Sequence, residues 1–106
     1  MSTSEFGDVG RWEKGDIAHE IGSAVPRKPL IARGAIRSTE SVDMGDGWCF
    51  RCVLADHTGE LYLLFMGRRE VAGFRPGTIC TVQGTVGKDG DTLTLWNPLY
   101  RLEPTE

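Results

Sequence analysis

From Leu30 onward, apolar and polar residues alternate one by one in short runs, and each run stops at a cluster of Gly, Asp or Pro. A period of two puts successive side chains on opposite faces of an extended chain, so this pattern fits half-buried strands and excludes long helices. In the first run Ala32, Gly34 and Ile36 alternate with Arg33, Ala35 and Arg37. After a turn cluster at residues 43–47, Phe50, Cys52 and Leu54 alternate with Cys49, Arg51 and Val53. Asp56-His57-Thr58-Gly59 then makes a tight turn into Leu61, Leu63 and Phe65, which alternate with Glu60, Tyr62 and Leu64, so the second and third runs form a hairpin. Residues 67–74 break the alternation, and 68–72 have room for one or two helical turns. Pro76-Gly77 opens a fourth run with Cys80, Val82, Gly84 and Val86 on one side. A loop at 87–91 leads to a fifth run, Leu93 and Leu95 against Thr94 and Trp96, which Asn97-Pro98 ends. The expectation is an all-β domain with an inner layer of Ile36, Leu54, Leu61, Val82 and Leu95.

Five short strands with a short helix between strands 3 and 4 reproduce the order of an oligonucleotide/oligosaccharide-binding (OB-fold) barrel, which curls on itself and so closes most of its edges. Gly34 and Gly84 fall on the inward face, where a missing side chain lets a small barrel bend sharply or lets another backbone approach. The segments 32–38, 54–61 and 76–86, with their LxDxTG hairpin and PG…V.G.V strand, resemble the OB-fold nucleic-acid-binding superfamily. Together with Phe65-Met66-Gly67-Arg68-Arg69 and Asn97-Pro98-Leu99-Tyr100, they make the chain similar to the small stand-alone OB-fold proteins of actinomycetes. The resemblance spans about two thirds of the chain, and it implies a nucleic-acid ligand. OB barrels also bind proteins and sugars, so the fold is the firmer inference.

A chain of 106 residues holds one core, with no room for a second catalytic domain. Residues 30–102 form the OB-fold domain, 1–29 an N-terminal extension that is flexible in part, and 103–106 a tail. Within the extension, residues 16–21 suit either one helical turn begun by Asp16 or a short piece pairing with the barrel, and Pro26 and Pro29 favour an extended approach to strand 1. The N-terminus has neither the basic start nor the apolar stretch of a secretion signal, and no run is long enough to span a membrane, so the expected location is cytoplasmic. The formal charge of −3 offers phosphate no whole-protein attraction. Residues 33–101 carry eight basic and eight acidic side chains, so the barrel itself is neutral. Three cysteines do not suggest a disulfide framework. The CxxC of Cys49 and Cys52 lies in a strand pattern that turns its thiols to opposite faces, and it lacks a second ligand pair, so the better reading of Cys52 and Cys80 is buried structural cysteine with no metal or other cofactor.

In this fold a ligand crosses the outward side of strands 2 and 3, between the loops joining strands 1–2 and 4–5. That places Arg51 and Tyr62 on the face, with Trp48 and Trp96 as further stacking platforms and Arg33 and Arg37 extending a basic track. Arg68, Arg69 and Lys88 complete the candidate set. Each has a plainer reading: Tyr62 and Leu64 covered by the N-terminal extension, Trp48 and Trp96 capping the barrel ends, and the arginines as solvated strand decoration. Asp43, Asp46, Asp89 and Asp91 set acid beside the phosphate path, so modest affinity is expected. The sequence thus points to weak, sequence-tolerant binding of single-stranded DNA or RNA without catalysis. The alternative is a protein-interaction or homo-oligomerisation module using Tyr62, Leu64, Val53 and Ile79 as an apolar surface. An enzyme fits least, since the two histidines are far apart in sequence, no glycine loop cradles phosphate, and Asp56 reads as a turn former rather than a base.

Overall fold

The computed structural model describes residues 17–104. Its strands are β1 (Pro29–Asp43), β2 (Trp48–Asp56), β3 (Gly59–Met66), β4 (Ile79–Asp89), β5 (Thr92–Trp96) and β6 (Leu99–Leu102). β1 and β2, β2 and β3, and β4 and β5 pair antiparallel through short turns. Two non-local pairings turn this ribbon into a barrel: β3 runs parallel to β5 with Leu63 opposite Leu95, and the first half of β1 runs antiparallel to β4 with Ala32 opposite Val82. The ring β1-β2-β3-β5-β4 closes back on β1, so each of these five strands has a neighbour on both edges. The architecture is an all-β, OB-like barrel.

β1 serves both halves of the ring. It pairs with β4 as far as Ala35 and with β2 from Ala35 onward, and a register shift between Ile36 and Ser38 makes Arg37 the extra residue of a bulge. Gly34 sits just before this switch, where a Cβ would lie 2.5 Å from the Ala55 carbonyl oxygen. The close approach expected at Gly34 is therefore present. Gly84 differs, because a Cβ there would meet only the Leu95 side chain at 3.5 Å, which is ordinary contact.

Ile36, Leu54, Leu61, Val82 and Leu95 are each at most 2% exposed and lie in one cluster, as the alternation requires. Cys52 and Cys80 are fully buried among them, and burial pushes both thiols up to about 12, leaving essentially no thiolate at neutral pH. One end of the barrel is filled by aromatic rings, with Phe74 edge-on to Tyr100 at 4.9 Å and to Phe65 at 5.2 Å.

Two expectations about connections are corrected. Residues 67–78 hold no helix. Gly67, Gly73 and Gly77 all take positive φ and confine residues 68–72 to a span too short to nucleate one, while Val71 and Phe74 turn inward to plug the barrel end. The strand pattern also does not stop at Asn97-Pro98. The left-handed Asn97 (φ 49°) makes a kink, after which β6 continues along β4 with Tyr100 opposite Val82.

A helical turn begun at Asp16 lies in part outside the described residues. Within them the segment takes the pairing option: the His19 amide donates to the Ile31 carbonyl at 2.7 Å, and Ile21–Ser23 forms a single 3-10 turn. Ile21 enters the core at 1% exposure, its amide donating to Asp56 Oδ2 at 2.8 Å. The other Asp56 oxygen accepts from the Thr58 amide (2.7 Å), the Thr58 hydroxyl and the Gly59 amide (3.1 Å). Partial burial opposes its charge, but these hydrogen bonds outweigh it and hold the carboxyl below the usual carboxylate range. Asp56 is thus the turn former its sequence setting suggested, and it also clasps the N-terminal segment to the β2–β3 hairpin.

Candidate nucleic-acid interface

Strand pleating turns Arg51, Val53, Tyr62, Leu64, Met66, Thr94 and Trp96 away from the core, and pairing sets them in rows across β2, β3 and β5. One row reads Arg51, Leu64, Trp96 and the next Val53, Tyr62, Thr94. Arg51, Tyr62 and Trp96 are thereby brought onto one face. On that face lies a depression of about 220 Å³ lined by Arg51, Tyr62, Leu64, Asp89, Thr92 and Thr94. No residue of the described N-terminal segment contributes to that lining. Trp96 is 55% exposed and lies across Gly87, where a Cβ would stand 2.8 Å from Thr94 Oγ1 and 3.6 Å from the indole nitrogen. Gly87 falls in the loop expected at 87–91 but lies within β4, opposite Thr94, and its bareness lets the indole lie against the sheet. Thr92 and Thr94 fall outside the sequence-based candidates because nothing local reveals the parallel β3–β5 pairing that places them, and Met66 does so because β3 runs one residue past the Phe65 end of the expected alternation.

The remaining candidates fall elsewhere. Arg33 lies on the β1–β4 side, and its guanidinium forks onto Glu103, with the outer contact 2.9 Å, a bond that holds the Glu103 carboxyl below its usual range. Arg37 sits at the bulge 3.6 Å from Glu60, and Arg51 pairs with Glu40 across the β1–β2 ladder. Arg33, Arg37 and Arg51 are therefore each neutralised in place, although such exposed pairs add little stability. Lys88 is exposed near the β4–β5 turn, but alternation sends it to the side opposite Asp89, so it is the acid that lines the depression. Trp48 has the parity of Phe50, not of Arg51. It stands half-buried at the barrel rim with the Arg69 guanidinium 4.4 Å over its ring. Arg68 and Arg69 are exposed in the β3–β4 connection and have no carboxylate partner among the described residues. Of the apolar surface offered as an alternative, Val53, Tyr62 and Leu64 share the face, whereas Ile79 lies on β4 opposite Ala35.

Among the described residues no group of three or more His, Cys, Asp or Glu side chains is placed to hold a metal, and no helix is long and apolar enough to cross a membrane. His19 and His57, remote in sequence, line one shallow depression with Glu20, Arg33 and Asp56, and His57 Nε2 lies 3.1 Å from Glu20.

Ring closure, strand order and an outward aromatic face define an OB-like barrel. No protein-family model matches the chain, and no curated protein does. Among solved structures it is similar to the solution structure of a replication factor A related protein from Methanobacterium thermoautotrophicum, with a TM-score of 0.60 and 15% identity. The match covers 87% of this chain and 96% of that one, and the likeness is one of fold.

Proposed function

We propose that this protein binds single-stranded nucleic acid, weakly and with little sequence preference, on the outward side of β2, β3 and β5, and that it does no chemistry on its ligand. The observation that carries the reading is that strand pairing sets Arg51, Tyr62 and the exposed Trp96 on one face, where Arg51 and Tyr62 line an open depression. Unpaired bases stack on exposed aromatic rings with little regard to sequence, each stack being worth roughly 1–3 kcal/mol. The polar group of the half-buried Thr92 suits edge contacts within the same depression. A fold shared with a protein named for its relation to replication factor A supports a nucleic-acid role. Cytoplasmic location belongs to the same reading.

The neutralised arginines and Asp89 keep the electrostatic contribution small, which is why the binding is weak. Titration of fluorescently labelled oligonucleotides with the full chain at low salt tests the proposal. Saturable binding in the micromolar range, weakened about fivefold or more by Tyr62→Ala, is the expected outcome. An unchanged signal up to high micromolar protein rejects it.

A further inference from the structure

Arg69 differs from Arg33, Arg37 and Arg51. Its backbone is fixed, because Ser41 Oγ donates to the Arg69 carbonyl at 2.6 Å, and its side chain is fixed over the Trp48 ring. Yet the residue is exposed and no carboxylate compensates it among the described residues. A guanidinium in this state presents a planar, weakly hydrated outer surface whose ordering is already complete before any ligand arrives.

It stands just beyond the loop end of the β2–β3–β5 face. Cys49 pairs with Met66, whose side chain is on the outward face, and the next amide, Gly67, donates to the Trp48 carbonyl at 2.6 Å. Along β3, three residues separate the Leu64–Trp96 row from Gly67, a rise of about 10 Å. Because Trp48 has the inward parity of β2, Arg69 stands around the rim from Met66, and a strand lying over Tyr62 and Trp96 reaches it by passing over the Gly67–Trp48 edge. The neighbouring loop charges, Arg68 and Arg75 against Asp43, Asp46 and Glu70, leave little net attraction for a phosphate. What remains available is the π-face.

We propose that Arg69 is a nucleobase-stacking site at the loop end of the interface, with Trp48 as the positioning residue beneath it. This rests on the function proposed above. The test compares the full chain with Arg69→Lys, which keeps the charge and removes the planar surface, by fluorescence anisotropy on labelled oligo-dT and on an abasic strand of the same length. The lysine variant is expected to bind oligo-dT about fivefold or more weakly and the abasic strand as the parent does. Equal affinity for oligo-dT, or an equal loss on both strands, overturns the stacking role. Trp48→Phe should retain most of the affinity, whereas Trp48→Leu should match the lysine variant and add nothing when combined with it. Additive losses overturn the positioning role. If the parent protein binds neither strand, the broader reading fails as well, so the two failures are told apart.

Discussion

At the scale of single residues, Gly34 and Gly84 look alike in the sequence, each a glycine on the inward side of a strand, and the structure separates them. Gly34 packs its bare Cα against a backbone carbonyl that cannot yield, whereas Gly84 faces a leucine side chain at normal contact distance. Gly34→Ala should therefore cost about 1–3 kcal/mol or more in denaturant unfolding. Gly84→Ala should fall within about 1 kcal/mol of the parent, since space is available and the unfolded chain loses freedom. Period two was enough to read which face a residue takes, so the five inner-layer residues and the outward Arg51 and Tyr62 were legible in advance. It did not reveal what a residue touches across the barrel. Hence Gly87 went unnoticed, and Trp48, read as a platform beside Arg51, instead occupies the inward-parity rim under Arg69.

At the scale of elements, the β3–β4 connection and the N-terminal segment show where local reading stops. Arg68 to Ala72 has tolerable helix propensity, but left-handed glycines on either side cut the run short, and burying Val71 and Phe74 decides the path instead. Ile21 lacked any periodic context, so its place in the core was illegible, although Asp56 carried a recognisable turn signature. The clasp between them has a pH signature. Because hydrogen bonding depresses the Asp56 carboxyl in the folded state, its contribution is fully present above the unfolded value of about 3.9 and is lost as pH falls through the lower folded value. Hydrogen exchange at the Ile21 and Gly22 amides should accelerate relative to the core strands as the solution is acidified below about pH 4. Asp56→Ala should produce the same loosening at neutral pH and lower stability by about 1–2 kcal/mol. Unchanged exchange at Ile21 in that variant would show that burial of the isoleucine alone holds the segment.

For the whole molecule, the closing pairings β1–β4 and β3–β5 convert a strand list into a barrel, and they join residues too far apart in sequence for any local pattern to specify. The alternation limited the answer to curled sheets, and strand order then selected this one. Charge acts at the same scale. On the proposed face Arg51 is tied to Glu40 and Asp89 lines the depression, so in a chain of net charge −3 that face offers few free cations to displace counterions from a strand. The logarithm of oligonucleotide affinity should therefore fall with the logarithm of salt with a slope smaller than about 1.4 in magnitude, about two phosphates or fewer. Arg33→Ala and Arg37→Ala should leave that slope unchanged, and a slope near 4 would mean that the ion pairs open on binding. The central claim, that the outward side of β2, β3 and β5 receives an unpaired strand, is tested most directly by titrating the isotopically labelled protein with a short oligo-dT at low salt while following backbone amide and indole resonances. The account predicts shifts concentrated at Arg51, Val53, Tyr62, Leu64, Thr94 and the Trp96 indole, with Arg33, Thr81 and the β6 amides unmoved. Shifts confined to the β1–β4–β6 side, or none anywhere at saturating strand, would contradict it.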